Sequence, residues 1–270
     1  MNVYRRGSRI WFLSVCVFVV IILLFYLKQQ SPPPTLEPLP GTYQYFRERD
    51  FYSKTHKLGA VSHCDTRFAL DHALGNDEIR STLKGLLASY ATTMRELDTE
   101  TWLAHGTLLG WYWNRKLMPW DTDIDVQMPA KDIAKLAVEY NMTEFVYPLP
   151  KTKSSRRYLL DINPHYSIVS FRDVANKIDG RWIDQTNGKF IDITAIHLDE
   201  VDLVSGPLTA MFCKDGHRYE KQDIYPLEQS DFEGVEVKVP AKSDKILREE
   251  YGARSLTNTR FHWYELFRPF

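Results

Sequence analysis

Hydrophobic positions along the chain follow three rhythms, and each predicts a different kind of element. Ile10 to Leu27 is an unbroken apolar run of 18 residues. As a helix it is about 27 Å long at ~1.5 Å per residue, enough for a thin early-secretory bilayer. From Asn76 to Leu97 the rhythm becomes helical: Ile79, Leu83, Leu86, Leu87, Tyr90, Met94 and Leu97 share one face. Asn76 is expected to cap this helix, and Asp77 and Glu78 suit its positive first turn. Leu108 to Trp113, Lys131 to Tyr140 and Lys242 to Tyr251 are further helical stretches, the last closed by Gly252. The third rhythm has period two. Ile124 and Val126 alternate with Asp123 and Asp125, as in a strand with one apolar face. Trp102–Ala104, Ser167–Phe171 and Phe190–Ile196 are the other strand candidates. Strands interleaved with helices predict an α/β (α+β) domain around a mixed sheet.

Charge gives the apolar run an orientation. Arg5, Arg6 and Arg9 precede it and only Lys28 follows closely, which puts residues 1–9 in the cytosol and the C-terminus in the lumen. A cleaved signal peptide would have a shorter apolar region, ~7–15 residues, followed by small residues; here Lys28-Gln29-Gln30-Ser31 follows. Residues 10–27 therefore read as a signal anchor. The Pro-rich residues 28–50 read as a stalk, and residues 51–270 as a luminal domain. Four of the 34 basic residues lie in residues 1–30, so 30 face all 35 acidic residues in the remainder. That balance excludes the basic footprint of a nucleic-acid binder. Asn141-Met142-Thr143 is a glycosylation sequon, usable only in the lumen. Cys64 and Cys213 would meet an oxidising compartment there, as a disulfide or as two thiols; no spacing suggests a structural zinc site.

The chemistry concentrates in residues 102–128. His105-Gly106-Thr107 follows a short strand and opens a helix. Gly106 would let backbone approach a ligand, Thr107 would cap the helix, and the first-turn N–H groups would cradle phosphate. Asp121, Asp123 and Asp125 would share one face of a strand. Carboxylates gathered in this way call for a hard divalent cation, Mg2+ or Mn2+. Asp192 sits mid-strand in Phe190–Ile196, where burial demands a cation or a strong donor. Asp123, Asp125 and Asp192 are the expected metal ligands, with a salt bridge from Asp192 to Arg181 or Lys189 as the plain alternative. His105 is expected to be a packed strand-end residue.

The pattern His105 to Gly110, then Arg115 and Lys116, then Pro119 to Asp125 resembles the signature of the LicD/fukutin-related family. Arg181–Asp184, Gly188–Thr194, Tyr225–Leu227, Phe232–Gly234, Val239-Pro240 and Tyr251-Gly252 extend the likeness, most closely to a fungal branch associated with cell-wall mannosylphosphorylation. The resemblance implies a nucleotidyltransferase-like fold. It also implies transfer of a phosphorylated sugar or alcohol from a nucleotide-diphosphate donor, GDP-mannose in that branch, to a glycan acceptor. Asp121 would orient or deprotonate the acceptor. Gly106, Thr107, Arg115, Lys116, Arg181 and Lys189 would contact phosphate. Two other readings compete: an Asp-x-Asp Golgi glycosyltransferase, and a non-catalytic regulator of a partner transferase. The expected location is the Golgi membrane, single-pass type II, with the endoplasmic reticulum as alternative.

The topology is testable in sealed microsomes. The domain beyond residue 50 is expected to resist protease until detergent is added, and a glycosidase is expected to remove a glycan from wild type but not from Asn141→Gln. Digestion without detergent would invert the orientation.

Overall fold

The computed structural model describes residues 46–48, 51–52, 60–61, 63–149, 154–173, 175–199 and 210–259. The expected cytosolic tail and anchor lie outside them, as does most of the Pro-rich stretch. Among the described residues no helix is long and apolar enough to cross a membrane.

The first elements among the described residues form a two-stranded ribbon, β1 (Phe51–Tyr52) and β2 (Ala60–Val61). Then follow α1 (Asn76–Glu96), β3 (Trp102–Leu103), α2 (His105–Asn114), β4 (Ile124–Pro129) and α3 (Ala130–Glu139). Next come β5 (Thr143–Pro148), β6 (Ser155–Ile162), β7 (Gly180–Asp184), β8 (Phe190–Leu198), β9 (Ala210–Phe212) and β10 (Arg218–Glu220). A short α4 (Lys221–Ile224), the hairpin β11 (Glu228–Phe232) and β12 (Val235–Val239), and α5 (Ser243–Tyr251) complete the order. Strands β3 to β10 form one mixed sheet. Its pairs are antiparallel except β4 with β8, which run parallel in the order's middle.

Helix α1 owes its place to its apolar stripe. Leu83, Leu86, Leu87, Tyr90 and Met94 are all buried, and the helix packs on β7, β8 and β12. Burying each such large side chain contributes roughly 1.5–3 kcal/mol. Trp182 of β7 anchors that contact. It stacks on Tyr158 at 5.6 Å between ring centres, with Phe145 at 5.0 Å, and its Nε1 donates to Ser89 Oγ at 3.0 Å.

Several expectations change. Gly75, not Asn76, precedes the first turn of α1, and its N–H donates to Glu78 Oε2. Helix α2 starts at His105 rather than Leu108. Ser167–Phe171 is not a strand: Asn176 Nδ2 donates to the His165 and Ile168 carbonyls, and Asn163 Nδ2 to the Ile178 carbonyl, so side chains satisfy backbone there without a partner strand. Of the two states open for Cys64 and Cys213, the structure shows two buried thiols without a disulfide. The stalk boundary at residue 50 is also too late, because Glu48 bridges to Asp65 and pairs with Arg181 inside the folded domain.

Trp182→Ala is expected to cost ~3–5 kcal/mol, since it opens a cavity and removes the donor to Ser89 Oγ. Urea unfolding of the full-length protein measures this; a loss under ~1 kcal/mol would show that the aromatic cluster is not the keystone of the core.

Candidate functional site

Four neighbouring strands carry one row of charges. In the parallel pair, Asp125 of β4 lies opposite Asp192 of β8. In the next pair Arg181 of β7 lies opposite Asp192, and in the next Asp161 of β6 lies opposite Arg181. Arg181 Nε donates to Asp192 Oδ1 at 2.8 Å and its Nη2 to Glu48 Oε1 at 2.5 Å. The guanidinium lies 3.7 Å from the Phe190 ring centre and 4.7 Å from that of Phe46. The far end of the row is held by Arg67, which reaches Asp161 Oδ2 at 2.6 Å and Asp65 Oδ2 at 2.8 Å. The expected alternative for Asp192 is thus realised: it pairs with Arg181. That pairing occupies Asp192 Oδ1.

The acidic centre forms where β4 begins. Since β4 starts at Ile124, Asp121 and Asp123 sit on the loop before it and do not share a strand face with Asp125. The loop is held from below. Lys189, wholly buried, donates from Nζ to the Thr122 carbonyl at 3.0 Å, and Asp121 N–H donates to the Met118 carbonyl. Gly188, at φ +79°, makes the turn that delivers Lys189; a Cβ there would stand 2.8 Å from the Asp65 carbonyl oxygen. One oxygen each of Asp123, Asp125 and Asp192 lies within 4.8 Å of the others. Burial, then the neighbouring Asp123 carboxylate, hold the carboxyls of Asp121 and Asp125 well above the usual range. Burial also raises Asp192, opposed by Arg181. Three oxygen donors crowded against their own repulsion fit a hard divalent cation.

The sequence did not single out two further groups here. His63 Nδ1 lies 3.4 Å from Glu48 Oε2 and 3.5 Å from Asp123 Oδ2, and Glu48, His63 and Asp192 converge as a second potential ligand set. Both residues precede any recognisable motif, so no local pattern marks them.

The remaining expected residues divide. Thr107 does not cap α2; its Oγ1 accepts the Asp125 N–H at 2.9 Å and ties the helix start to the acidic strand. Gly106 lies beside the centre, 3.8 Å from Asp121 Oδ2 at the place a Cβ would occupy. Lys189 braces the loop rather than standing open to phosphate. Arg115 and Lys116 are exposed beyond the opposite end of α2, Arg115 lying over Trp111 at 3.7 Å. About ten residues of helix, ~15 Å, separate them from Gly106. Asn141 sits half-buried in the turn after α3, its Oδ1 accepting the Ile162 N–H. His105 is packed as expected; burial lowers it, but Glu250, then Asp125 and Asp215, raise it to about 9. A cavity of about 260 Å³, lined by Met94, Trp102 and Val237 among others, includes none of these carboxylates.

Comparison with known proteins places these residues in a wider group. Two Saccharomyces cerevisiae proteins are similar in sequence. Mannosyltransferase regulator 4 is 32% identical over 158 residues, covering 55% of this chain and 13% of that protein. Mannosyltransferase regulator 14 is 33% identical over 137 residues, covering 50% of this chain and 14% of that protein. This chain therefore matches only about one-seventh of the length of either relative. The model of the family described as LicD/FKTN/FKRP, nucleotidyltransferase domain, matches residues 98–242. That span is more than half of the chain and holds His105–Gly110, Asp121–Asp125, Arg181 and Asp192, so the chain belongs to the LicD/FKTN/FKRP nucleotidyltransferase-domain family.

Proposed function

We propose that this domain transfers a phosphorylated sugar or alcohol, most simply mannose phosphate from GDP-mannose, to a glycan acceptor in a metal-dependent reaction. The observation that carries the reading is the convergence of Asp123, Asp125 and Asp192 within 4.8 Å. The family membership and the word mannosyltransferase in both relatives' names support the substrate class.

In this reading Asp123, Asp125 and Asp192 hold Mg2+ or Mn2+, which supplies charge neutralisation on the donor diphosphate and the departing nucleotide. Arg181 opposes the burial that raises Asp192 and fixes its direction. Its Nη1 has no hydrogen-bond partner among the described residues and is a donor in reserve for an anion. Lys189 sets the height of the acidic loop through Thr122. Backbone N–H groups at Gly106 and Thr107 meet a donor phosphate at the helix start. Asp121, whose buried carboxyl keeps a high proton affinity, takes the proton of the acceptor hydroxyl. The domain works in the Golgi lumen, tethered through residues 10–27, with Asn141 glycosylated.

A second reading has its own support: both relatives are named as regulators. In it the same fold binds a donor or metal and acts on a partner transferase.

The readings part in one assay. Full-length protein in detergent is given Mn2+, a mannan acceptor and GDP-mannose labelled in both the mannose and the β-phosphate. Both labels are expected to move together. Movement of mannose alone would identify a glycosyltransferase, and movement of neither, with Mn2+ still raising the Tm, would favour the regulator. Asp123→Asn and Asp125→Asn are each expected to lower transfer at least ~100-fold, because loss of a ligand exceeds loss of its outer-shell support. Their metal-free Tm is expected to hold or rise, as repulsion is relieved, and the Mn2+-dependent rise to shrink. Asp192→Asn is expected to lose activity and also ~3 kcal/mol of stability, because it deprives buried Arg181 of a partner.

A further inference from the structure

A second cluster lies on the other side of His105. His105 opens α2, His217 precedes β10, and Glu250 lies near the end of α5. The two imidazole rings lie 5.0 Å apart. At one end His105 Nδ1 stands 3.2 Å from Glu250 Oε2, and His217 Nδ1 stands 3.8 Å from Glu250 Oε1. At the other end both Nε2 atoms face Asp215 Oδ2, at 3.7 and 3.6 Å. Most of these separations exceed hydrogen-bond reach. The two separations to Glu250, 3.2 and 3.8 Å, bracket the ~3.3 Å edge of a tetrahedron whose centre is bonded at ~2.0–2.1 Å, the geometry of zinc with nitrogen and carboxylate ligands. We propose that His105, His217 and Glu250 bind a borderline transition-metal ion such as Zn2+, in a site separate from the all-carboxylate centre.

The donor chemistry distinguishes the two sites. Two imidazoles and one carboxylate suit Zn2+, whereas carboxylate oxygens alone suit Mg2+ or Mn2+. The surroundings are those of ligand support. Tyr219 OH donates to Glu250 Oε1 at 3.1 Å, and Gln127 Nε2 donates to Tyr219 OH at 3.1 Å. Asp215, facing the outer nitrogen of each ring, is placed to fix both imidazoles, as outer carboxylates do for zinc-bound histidines. Among the described residues the groups that pair with Glu250 and Asp215 are the two imidazoles, so a metal ion held by neutral His105 and His217 would take over the positive charge they supply. Nearby Cys213 turns its Sγ to Asp215 Oδ1 and is not among the three side chains whose ligand atoms converge. His217 is partly open to solvent, at 38% side-chain exposure, which gives the ion an entry path and leaves a fourth position for water. The ion would join three segments distant in sequence and fix the helix start that carries Gly106 and Thr107.

The test is metal retention by the full-length protein. After stripping with chelator, loading with Zn2+ and exchange into metal-free buffer, wild type is expected to keep about one zinc per chain, with a Tm raised by the ion. His217→Ala, at an accessible position, is expected to keep the metal-free Tm of wild type and to lose both zinc and the zinc-dependent rise. Glu250→Gln is expected to weaken retention, and Asp123→Asn to leave it unchanged. Cobalt in place of zinc is expected to give four-coordinate visible absorption without a thiolate band, absent in His217→Ala. Equal zinc in wild type and His217→Ala, no zinc in wild type, or zinc lost with Asp123→Asn alone would each overturn the proposal.

Discussion

The pairing of Arg181 with Asp192 is the interaction on which the rest of the site depends. A guanidinium buried to 2% exposure in the centre of a sheet requires acceptors on its flanks. Asp192 accepts from Nε and Glu48 from Nη2, while the strand order sets the Asp161 carboxylate on the other side. The arrangement lets Asp192 stay in a hydrophobic strand while facing Asp125 across the parallel pair. Register does the rest. Side chains alternate with period two, so a slip of β4 by one residue would set Ile124 or Val126 against Asp192 and turn Asp125 into the core. The apolar faces of β4 and β8 exclude that slip, because Ile124, Val126, Ile191 and Ile193 are all buried. Core packing thus sets the separation of two carboxylates.

Around this row the site is assembled by contacts that reach backbone rather than ligand. Lys189 holds a carbonyl of the acidic loop, and Thr107 accepts an N–H from the acidic strand. Each is a polar group buried at a cost, and each cost is offset by fixing a neighbour of a carboxylate. This division between residues that hold and residues that are held explains why the acidic loop is steady without being part of the strand.

Much of this was legible in the sequence where the signal is local. The stripe of α1 and the strand through Phe190–Ile196 follow from periodicity, and a partner for Asp192 follows from the cost of a lone buried carboxylate, whereas Asp123 reaches Asp125 and Asp192 from a loop and not from the strand that periodicity suggested. Long-range matters were not legible. Arg115 and Lys116 read as phosphate contacts because they stand near the acidic triplet in sequence, but α2 carries them to its opposite end. Arg181 and Lys189 were noticed as cations, yet whether each faces a ligand or a structural acceptor depends on strand neighbours far along the chain. Glu48, His63 and His217 sit in stretches without periodicity or motif, Glu250 is one of several acids on a predicted helix, and only the fold brings them together. Ser167–Phe171 misled because a β-rich composition cannot reveal that Asn163 and Asn176 satisfy the backbone instead.

The position of Glu48 has a practical side. Composition draws the edge of the folded region after the prolines and before the first strand, and a recombinant fragment would naturally be cut there. Such a fragment would retain the sheet and helices and would express as a well-behaved domain. It would also lack the carboxylate that pairs with Arg181 Nη2 and the Phe46 ring beside that guanidinium. An inert preparation of that kind would be easily mistaken for an inert protein, so a faithful fragment has to begin ahead of Phe46.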